Sequence, residues 1–304
     1  MPLTLHGTIV AAHGRQYLVE LATKTADGEC ESMRETLRCF PRGKKSDLAC
    51  GDRVSVLRSG DAVGVIDSVA PRDTLLYRSN EFKQKLIAAN VTQIVIVVAT
   101  EPSFSDELIT RCIVAAECQD MKALIVLNKC DLTERMAHAT AALAPYEALG
   151  YTVLRLCAHD NADALRPYLA GHTSVLVGQS GMGKSTLTNA LIPGANAPTR
   201  EISEALDSGK HTTTHATLYR LDADLASNSA LIDSPGLQEF GLRHLTPDAI
   251  EHAFPELRVL RGQCRFRNCR HDREPDCAVH AALKSGAIAK RRFAAFRSLC
   301  AEVG

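Results

Sequence analysis

The stretch Gly178-Gln-Ser-Gly-Met-Gly-Lys-Ser185 decides the fold of this chain, because it matches the phosphate-binding pattern G-x-x-x-x-G-K-S without a mismatch. The apolar run at 174–177 predicts a strand before it, and apolar residues three and four apart over 185–192 predict a helix after it. Glycines let backbone N–H groups approach a phosphate chain, and a helix N-terminus adds positive potential. The sequence therefore predicts a phosphate-binding loop between a buried strand and a helix.

Two side chains of this loop have specific predicted roles. Lys184 is predicted to reach the β- and γ-phosphates, which makes it a candidate catalytic residue, and the Ser185 hydroxyl is predicted to bind Mg²⁺. The predicted nucleotide contacts of the loop are Gly178, Gln179, Ser180, Gly181, Met182, Gly183, Lys184, Ser185 and Thr186.

The stretch Asn128-Lys-Cys-Asp131 indicates which base is bound. It follows an apolar run at 123–127, as expected for a strand buried on both faces, and it resembles the guanine-recognition motif of GTPases. A carboxylate at Asp131 can accept from guanine N1–H and from the 2-amino group, and adenine offers neither donor. Cys157-Ala158, after a predicted strand at 151–156, resembles a degenerate Ser-Ala-Lys element that contacts guanine through its backbone. The predicted base contacts are Asn128, Lys129, Asp131, Cys157 and Ala158.

Two further segments are predicted to sense the γ-phosphate. Asp233-Ser-Pro-Gly236 resembles the D-x-x-G motif, in which Asp233 would hold Mg²⁺ through water and the Gly236 N–H would contact the phosphate. The polar segment 209–215 contains three threonines, and Thr213 is our candidate magnesium ligand and catalytic residue among Thr212 to Thr214.

The water-positioning residue is not the usual glutamine. Leu237 follows the D-x-x-G motif directly, where Ras-like proteins carry Gln, and Gln238 lies one residue too late. Gly181 stands where potassium-activated GTPases carry Asn, so that route to activation is not supported. His211 is our first catalytic candidate for positioning water and His215 is the second, because histidine titrates near neutrality.

The order of the motifs is unusual. In ordinary GTPases the phosphate loop comes first and the guanine motif fourth, whereas here the guanine motif precedes the phosphate loop. The sequence therefore predicts a circular permutation, which a sheet tolerates when its original termini lie close together at the surface. As a consequence, the chain that follows Asp233 is tethered directly to a nucleotide-sensing segment.

The composition bounds the remaining possibilities. The chain has 304 residues, 45% of them hydrophobic, and this length predicts two or three domains. Its formal net charge is zero, so any polyanionic partner must bind to local clusters of basic residues. No apolar run reaches the length of a membrane span, and residues 1–4 do not resemble a secretory signal. The 11 cysteines fit a reducing compartment. We expect a cytoplasmic monomer that does not bind membranes.

Residues 1–72 show short alternating runs separated by turns, which predict an OB-type β-barrel. Basic residues gather near Cys39-Phe40, and this mixture favours an RNA-binding barrel with a cationic loop; a structural barrel with a solvated loop is the alternative. The basic residues are Arg34, Arg38, Arg42, Lys44 and Lys45. Residues 73–243 alternate apolar strands and helices, which predicts an α/β GTPase domain with a largely parallel sheet.

Residues 244–304 are predicted to form a helical zinc-binding domain. Cys264, Cys269, His271 and Cys277 provide three thiolates and one imidazole, enough to close a tetrahedral structural zinc site. Free cysteines in a basic loop are the alternative, and His280 is a competing ligand. Arginines surround this cluster and favour a surface for phosphate backbones; a solvated helix surface is the other possibility.

With these motifs assembled, the chain resembles the RsgA family, the ribosome small-subunit-dependent GTPases of bacteria, over nearly its whole length. The resemblance implies a multidomain protein that binds GTP or GDP with Mg²⁺ and one zinc ion, and that acts in late maturation of the small ribosomal subunit. It also implies binding to rRNA near the decoding region and GTP hydrolysis stimulated by the subunit. Lys210 stands where relatives often have Arg, and Cys157 stands where Ser is usual.

Two other classes of protein compete with this interpretation. A P-loop ATPase is disfavoured by the guanine motif at 128–131, and competition between GTP and ATP distinguishes the two. An RNA-binding protein with a vestigial nucleotide site is disfavoured by the intact Lys184, Ser185, Thr213 and Asp233, and phosphate release in the presence of ribosomal subunits distinguishes it.

Overall fold

The structure is a computed structural model that describes residues 4–22, 35–43, 47–80, 83–195, 197, 216–221, 225–226, 228–234 and 241–303, with the side chains of 78–80 and 83–85 left undescribed. Within these residues the strands are β1 Thr4–His13, β2 Gln16–Leu21, β3 Thr36–Pro41, β4 Arg53–Arg58, β5 Val63–Val69, β6 Leu75–Asn80, β7 Lys83–Ala89, β8 Gln93–Ala99, β9 Lys122–Asn128, β10 Thr152–Arg155, β11 Thr173–Val177, β12 Thr217–Arg220 and β13 Ala230–Asp233. The helices are α1 Asp106–Glu117, α2 Thr133–Ala148, α3 Arg166–Leu169, α4 Lys184–Leu191, α5 Pro247–His252, α6 Pro255–Arg258, α7 Ala278–Ser285 and α8 Lys290–Val303, and a 3-10 turn spans Ala162–Leu165.

Strands β1 to β5 form a closed barrel in the order β1-β2-β3-β5-β4, and β4 pairs back to β1. Alternating side chains fill its interior, among them Ile9, Val19, Leu37 and Val56. The predicted OB-type barrel is thereby confirmed. The predicted cationic loop near Cys39 was partly wrong, because this segment is strand β3: Cys39 is buried, while the side chains on either side of it in the strand face outward. Arg34, Lys44 and Lys45 lie outside the described residues.

The second part of the chain forms a sheet in the order β10-β9-β8-β11-β13-β12, parallel except for β12. Strand β8 is buried along its whole length, as its continuous apolar sequence predicts for a strand covered on both faces. The strand before the phosphate loop, β11, lies in the middle of the sheet although it is the fourth of these strands in the chain. This arrangement confirms the predicted circular permutation.

The barrel is joined to this sheet through several contacts. Strand β1 pairs with β12 at Ala11 and Thr217, so that the two sheets are continuous, and Arg220 of β12 forms an ion pair with Glu20 of β2 at 3.0 Å. Arg72 donates two hydrogen bonds to the buried carboxylate of Asp52, at 2.6 and 2.7 Å. The hairpin β6–β7, which the sequence patterns did not predict, touches the barrel through a bridge between Cys50 and Ala88.

Helices α5 to α8 form the last part of the chain and pack on α1 and α2. The buried guanidinium of Arg292 in α8 forms an ion pair with Glu256 and donates to Thr110 of α1 at 3.0 Å. A second ion pair links Arg111 of α1 to Glu302 of α8. No described helix has both the length and the apolar character that a membrane span needs.

Candidate nucleotide-binding and metal sites

The phosphate loop connects β11 to α4 and depends on its glycines. A Cβ atom at Gly178 would lie 2.2 Å from the Val97 carbonyl oxygen, so only glycine lets β11 and β8 approach this closely. Gly181 and Gly183 have φ values of +81° and +89°, a left-handed conformation that side chains disfavour. Gly183 caps the N-terminus of α4, where unpaired backbone N–H groups can bind an anion.

Lys184, at the start of α4, is held over this loop. Its Nζ donates to the carbonyl oxygens of Gly178 at 2.6 Å and Gln179 at 2.9 Å. Burial lowers the pKa of Lys184, and the Asp233 carboxylate acts in the opposite direction. Asp233 ends β13 directly opposite Leu176 of β11, and its own burial raises its pKa while Lys184 opposes that shift. The loop, the cation and the carboxylate predicted for phosphate and Mg²⁺ therefore lie together.

The predicted magnesium ligand Ser185 is in the first turn of α4, at the same end of the sheet as Asp233. A hydroxyl and a carboxylate are the oxygen donors that Mg²⁺ prefers, so these residues fit the ion. Thr213, His211, His215 and Gly236 lie outside the described residues.

The side chain of Asn128 joins three of the predicted motifs. Its Nδ2 donates to the carbonyl oxygen of Met182 in the phosphate loop at 2.9 Å, and its Oδ1 accepts from the backbone N–H of Ala158 at 2.9 Å. The residue is buried at the end of β9. These hydrogen bonds therefore fix the guanine motif, the phosphate loop and the Cys157-Ala158 segment relative to one another.

Hydrogen bonds also hold the residues within and next to the base motif in place. Lys129 has a φ of +59°, and its Nζ donates to the Glu101 carbonyl oxygen at 2.9 Å. The backbone N–H of Cys157 donates to Asn161 Oδ1 at 2.7 Å. Burial and a hydrogen bond with the Asp131 carboxylate raise the pKa of the Cys157 thiol, so Cys157 and Asp131 are neighbours.

The loop at 100–105 contributes to this site, and the sequence patterns did not identify it. The backbone N–H of Ser105, which caps α1, donates to Gln179 Oε1 of the phosphate loop at 3.0 Å. Thr100 donates from its hydroxyl to the Lys129 carbonyl oxygen at 2.8 Å. The sequence contained one indication that this loop belongs to the site, because it is polar and follows β8 at the same sheet edge as the guanine motif. No recognised sequence motif identifies it.

The four predicted zinc ligands form one cluster. Their ligand atoms all lie within 4.8 Å of one another. His271 Nδ1 is 3.3 Å from Cys277 Sγ and 3.5 Å from Cys269 Sγ, and Cys264 Sγ is 3.9 Å from Cys277 Sγ. Sulfurs around a tetrahedral zinc ion lie about 3.8 Å apart, since each Zn–S bond is about 2.3 Å, so the donors fit zinc.

A second layer of contacts orients the histidine of this cluster. His271 Nε2 faces the Glu251 carboxylate at 3.4 Å, which is the usual partner for the second nitrogen of a zinc-bound imidazole. The competing ligand His280 points its Nε2 at the His271 carbonyl oxygen at 3.1 Å. The geometry therefore favours His271 over His280 as the ligand.

Comparison with known proteins identifies the family. The family profile described as RsgA GTPase matches residues 69–243. The chain belongs to the RsgA GTPase family. A protein of Ralstonia pickettii strain 12J named small ribosomal subunit biogenesis GTPase RsgA is 50% identical over 301 residues, covering 98% of this chain and 92% of that protein. A protein of the same name from Burkholderia pseudomallei strain K96243 is 52% identical over 300 residues, with 97% and 91% covered.

Solved structures of related proteins agree with the fold. YjeQ from Thermotoga maritima has a TM-score of 0.72 at 28% identity, with 99% of each chain covered. YloQ, described as a circularly permuted GTPase, has a TM-score of 0.70 at 24% identity, covering 99% of this chain and 95% of that one. Membership of the RsgA GTPase family confirms that the chain is a GTP hydrolase.

Proposed function

We propose that this chain acts in late maturation of the small ribosomal subunit, where it binds rRNA and hydrolyses GTP to drive its own release. The observation that supports this most directly is the Asn128 side chain, which ties a guanine motif to a phosphate loop in a chain of the RsgA GTPase family. The names of the relatives point to the same subunit. The chain would work as three domains at 1–72, 73–243 and 244–304, a division supported by the family match at 69–243.

In the nucleotide site, each side chain would have a separate task. Asp131 would accept from guanine N1–H and the 2-amino group, beside Lys129, Cys157 and Ala158. Lys184 would exchange its two carbonyl partners for phosphate oxygens, since its Nζ already lies over the loop. The residues that would hold Mg²⁺ are Ser185, Thr213 and, through water, Asp233. The ion would neutralise charge that develops on the phosphates.

Hydrolysis itself needs a residue that orients water. We propose His211 for this role, with His215 as the second candidate, because the position after the D-x-x-G motif is Leu237. Gly236 would contact the γ-phosphate through its N–H. Turnover without a partner should be slow, and the small subunit would accelerate it. The zinc ion held by Cys264, Cys269, His271 and Cys277 would be structural, since protein ligands fill all four positions.

The contacts between domains support a link between nucleotide and rRNA binding. Gln179 of the phosphate loop holds the N-terminus of α1, and α1 contacts α8 through Thr110 and Arg111. On the other side, β12 is hydrogen-bonded to the barrel strand β1. A nucleotide-dependent shift at the phosphate site can therefore reach the barrel and the C-terminal helices through packed elements.

The experiment measures affinity for purified small subunits with GDP and with a non-hydrolysable GTP analogue, at fixed salt because phosphate contacts are salt-dependent. We expect the subunit to be bound more tightly with the GTP analogue than with GDP, by about 1–3 kcal/mol. By thermodynamic reciprocity, the subunit must then favour binding of the GTP analogue over GDP by the same free energy. Equal affinities would contradict the proposal, as would GTP hydrolysis that subunits fail to accelerate. Thr213→Ala and His211→Ala should both abolish stimulated hydrolysis, and only His211→Ala should retain GTP-dependent binding.

A further inference from the structure

The loop that carries the first two zinc ligands presents an aromatic ring to solvent. Phe266 lies between Cys264 and Cys269 and is 42% exposed, although large apolar side chains are usually covered. The backbone N–H of Cys269 donates to the Phe266 carbonyl oxygen at 3.2 Å, which fixes the turn under the ring. The ring is therefore held outward by the geometry of the cluster.

A cation is fixed beside this ring. The Arg265 guanidinium carbon lies 5.5 Å from the Phe266 ring centroid, within the range of a cation–π contact. Arg265 is anchored from its other side by an ion pair with Asp276 at 3.0 Å. Within the described part of the chain its other guanidinium N–H groups have no partner, so they can donate to another anion. Phe266 and Arg265 together form a small platform, in which one side chain is aromatic and the other is planar and cationic.

Hydrogen bonds also hold the backbone of the zinc loop at residues 270–274. The Glu274 side chain accepts from the backbone N–H groups of Arg270 at 2.8 Å, Asp272 at 2.8 Å and Arg273 at 3.0 Å. Asp272 is paired in turn with Arg297 of α8 at 2.9 Å. Little conformational entropy would be lost on binding a ligand here, because the loop is already ordered.

The charge around the platform selects the ligand. Arg261, Arg267, Arg270 and Arg273 are exposed, and within the described part of the chain none of them has a carboxylate within ion-pair distance. Arginines that no described carboxylate neutralises, beside an exposed aromatic ring, match a ligand that carries both phosphates and flat bases. A duplex offers phosphates but keeps its bases stacked inside, whereas an unpaired strand offers both.

We propose that Phe266 stacks on an unpaired RNA base while the surrounding arginines bind the flanking phosphates, so that the zinc loop recognises single-stranded RNA. This inference rests on the proposed role at the small ribosomal subunit and deepens it, since it names the form of RNA that the loop contacts. The ring supplies preference for an unpaired base, and the arginines supply affinity that does not depend on sequence.

The test compares two probes on the full zinc-loaded chain: a labelled single-stranded oligoadenylate, and the same strand paired with oligouridylate. Phe266→Leu keeps an apolar side chain but removes the ring, and it should weaken binding of the single strand about tenfold with little change for the duplex. Phe266→Tyr keeps a ring and should bind as the parent does. Zinc content is measured in each variant, so that loss of the loop fold is detected.

Two further variants serve as matched controls. Tyr168 is 41% exposed, but it lies in α3, away from the zinc loop, so Tyr168→Leu should change neither affinity. Arg267→Gln should weaken single strand and duplex alike and lower the salt dependence by about one phosphate contact.

The proposal is overturned if Phe266→Leu binds the single strand as the parent does, or if it loses both probes equally. It is also overturned if the variant loses affinity for small subunits and keeps its affinity for naked RNA, since the ring would then contact a ribosomal protein. GTP hydrolysis without subunits should be unchanged in Phe266→Leu. Failure of the proposed function is seen separately, as parent protein whose GTP hydrolysis does not respond to subunits.

Discussion

The Asn128 side chain donates a hydrogen bond to the Met182 carbonyl oxygen at 2.9 Å, across 54 positions of the chain. This contact joins the end of β9 to the phosphate loop. Both atoms are buried, so each would lose a partner without compensation from water if the contact were broken. The base-binding and phosphate-binding segments are thus a single packed unit.

Gly183→Ala should damage this unit more than Gly181→Ala does. Both glycines have positive φ, so both variants carry backbone strain of about 1–2 kcal/mol. Only at Gly183 would the added Cβ lie 2.2 Å from Asn128 Nδ2; at Gly181 the nearest atoms belong to Pro102 at 3.6 Å. We expect Gly183→Ala to lose about 1–3 kcal/mol more of GDP-binding free energy, measured by titration calorimetry. Equal losses of GDP-binding free energy in the two variants would show that the contact with Asn128 does not contribute to nucleotide binding.

Asp131→Asn should shift the preference of the site from guanine to xanthine nucleotides, because xanthine has a carbonyl oxygen that the new amide can reach. The loss for GTP should be about 2–3 kcal/mol, as for a charged hydrogen bond removed from a protein site. Competition between GTP and xanthosine triphosphate measures it. Asp163→Asn, which alters an exposed ion pair with Arg166, is the control and should leave the preference unchanged. Unchanged GTP affinity in Asp131→Asn would remove Asp131 from the base pocket.

Cys269→Ala should abolish zinc binding and loosen the C-terminal helices, because it removes one of four ligands. We expect one zinc ion per parent chain by elemental analysis, and nucleotide affinity largely retained in the variant. Cys300→Ala is the matched control: this cysteine lies in α8 outside the cluster, so the variant should keep its zinc. Parent protein purified without chelator and found to contain no zinc would refute the assignment.

Arg292→Met should strongly destabilise the docking of α8. The Arg292 side chain is 2% exposed and that of its partner Glu256 is 7% exposed, so the variant leaves a buried carboxylate unpaired. We expect a loss of about 3–5 kcal/mol in the free energy of unfolding by urea. Arg297→Met removes an exposed pair on the same helix and should cost less than about 1 kcal/mol.

A further variant separates charge from packing at this site. Combining Arg292→Met with Glu256→Leu removes both charges, and it should recover much of the stability that Arg292→Met loses. If the double variant were as unstable as the single one, the contribution of Arg292 would come from its contacts with Phe254 and Tyr146 instead.

Several features could be predicted because their signal is local. The glycine loop occupies eight consecutive residues, and its strand and helix adjoin it, so pattern and spacing suffice. Helix α1 has a local signal of the same kind, since its Ser105 cap directly precedes the residues whose apolar side chains it buries. The hairpin β6–β7 was not predicted, because polar and charged residues dominate its centre at 78–85 and interrupt the apolar pattern of its strands. Strand β3 was assigned to a loop because basic residues cluster over 34–45, although Arg38 is the only basic side chain on the outward face of the strand.

The sequence by itself determined the motifs, their permuted order and the candidate zinc ligands, because each of these is encoded within a short segment whose chemistry is specific. The preference for His271 over His280 came from the tertiary structure. Only the tertiary structure decided how the segments meet. Asn128 contacts Met182 and Ala158, Gln179 contacts Ser105, and β12 pairs with β1, all across long sequence separations. Such contacts depend on the order of strands in the sheet and on the packing of buried side chains. No local pattern specifies them, because the same residue types would be equally compatible with other partners.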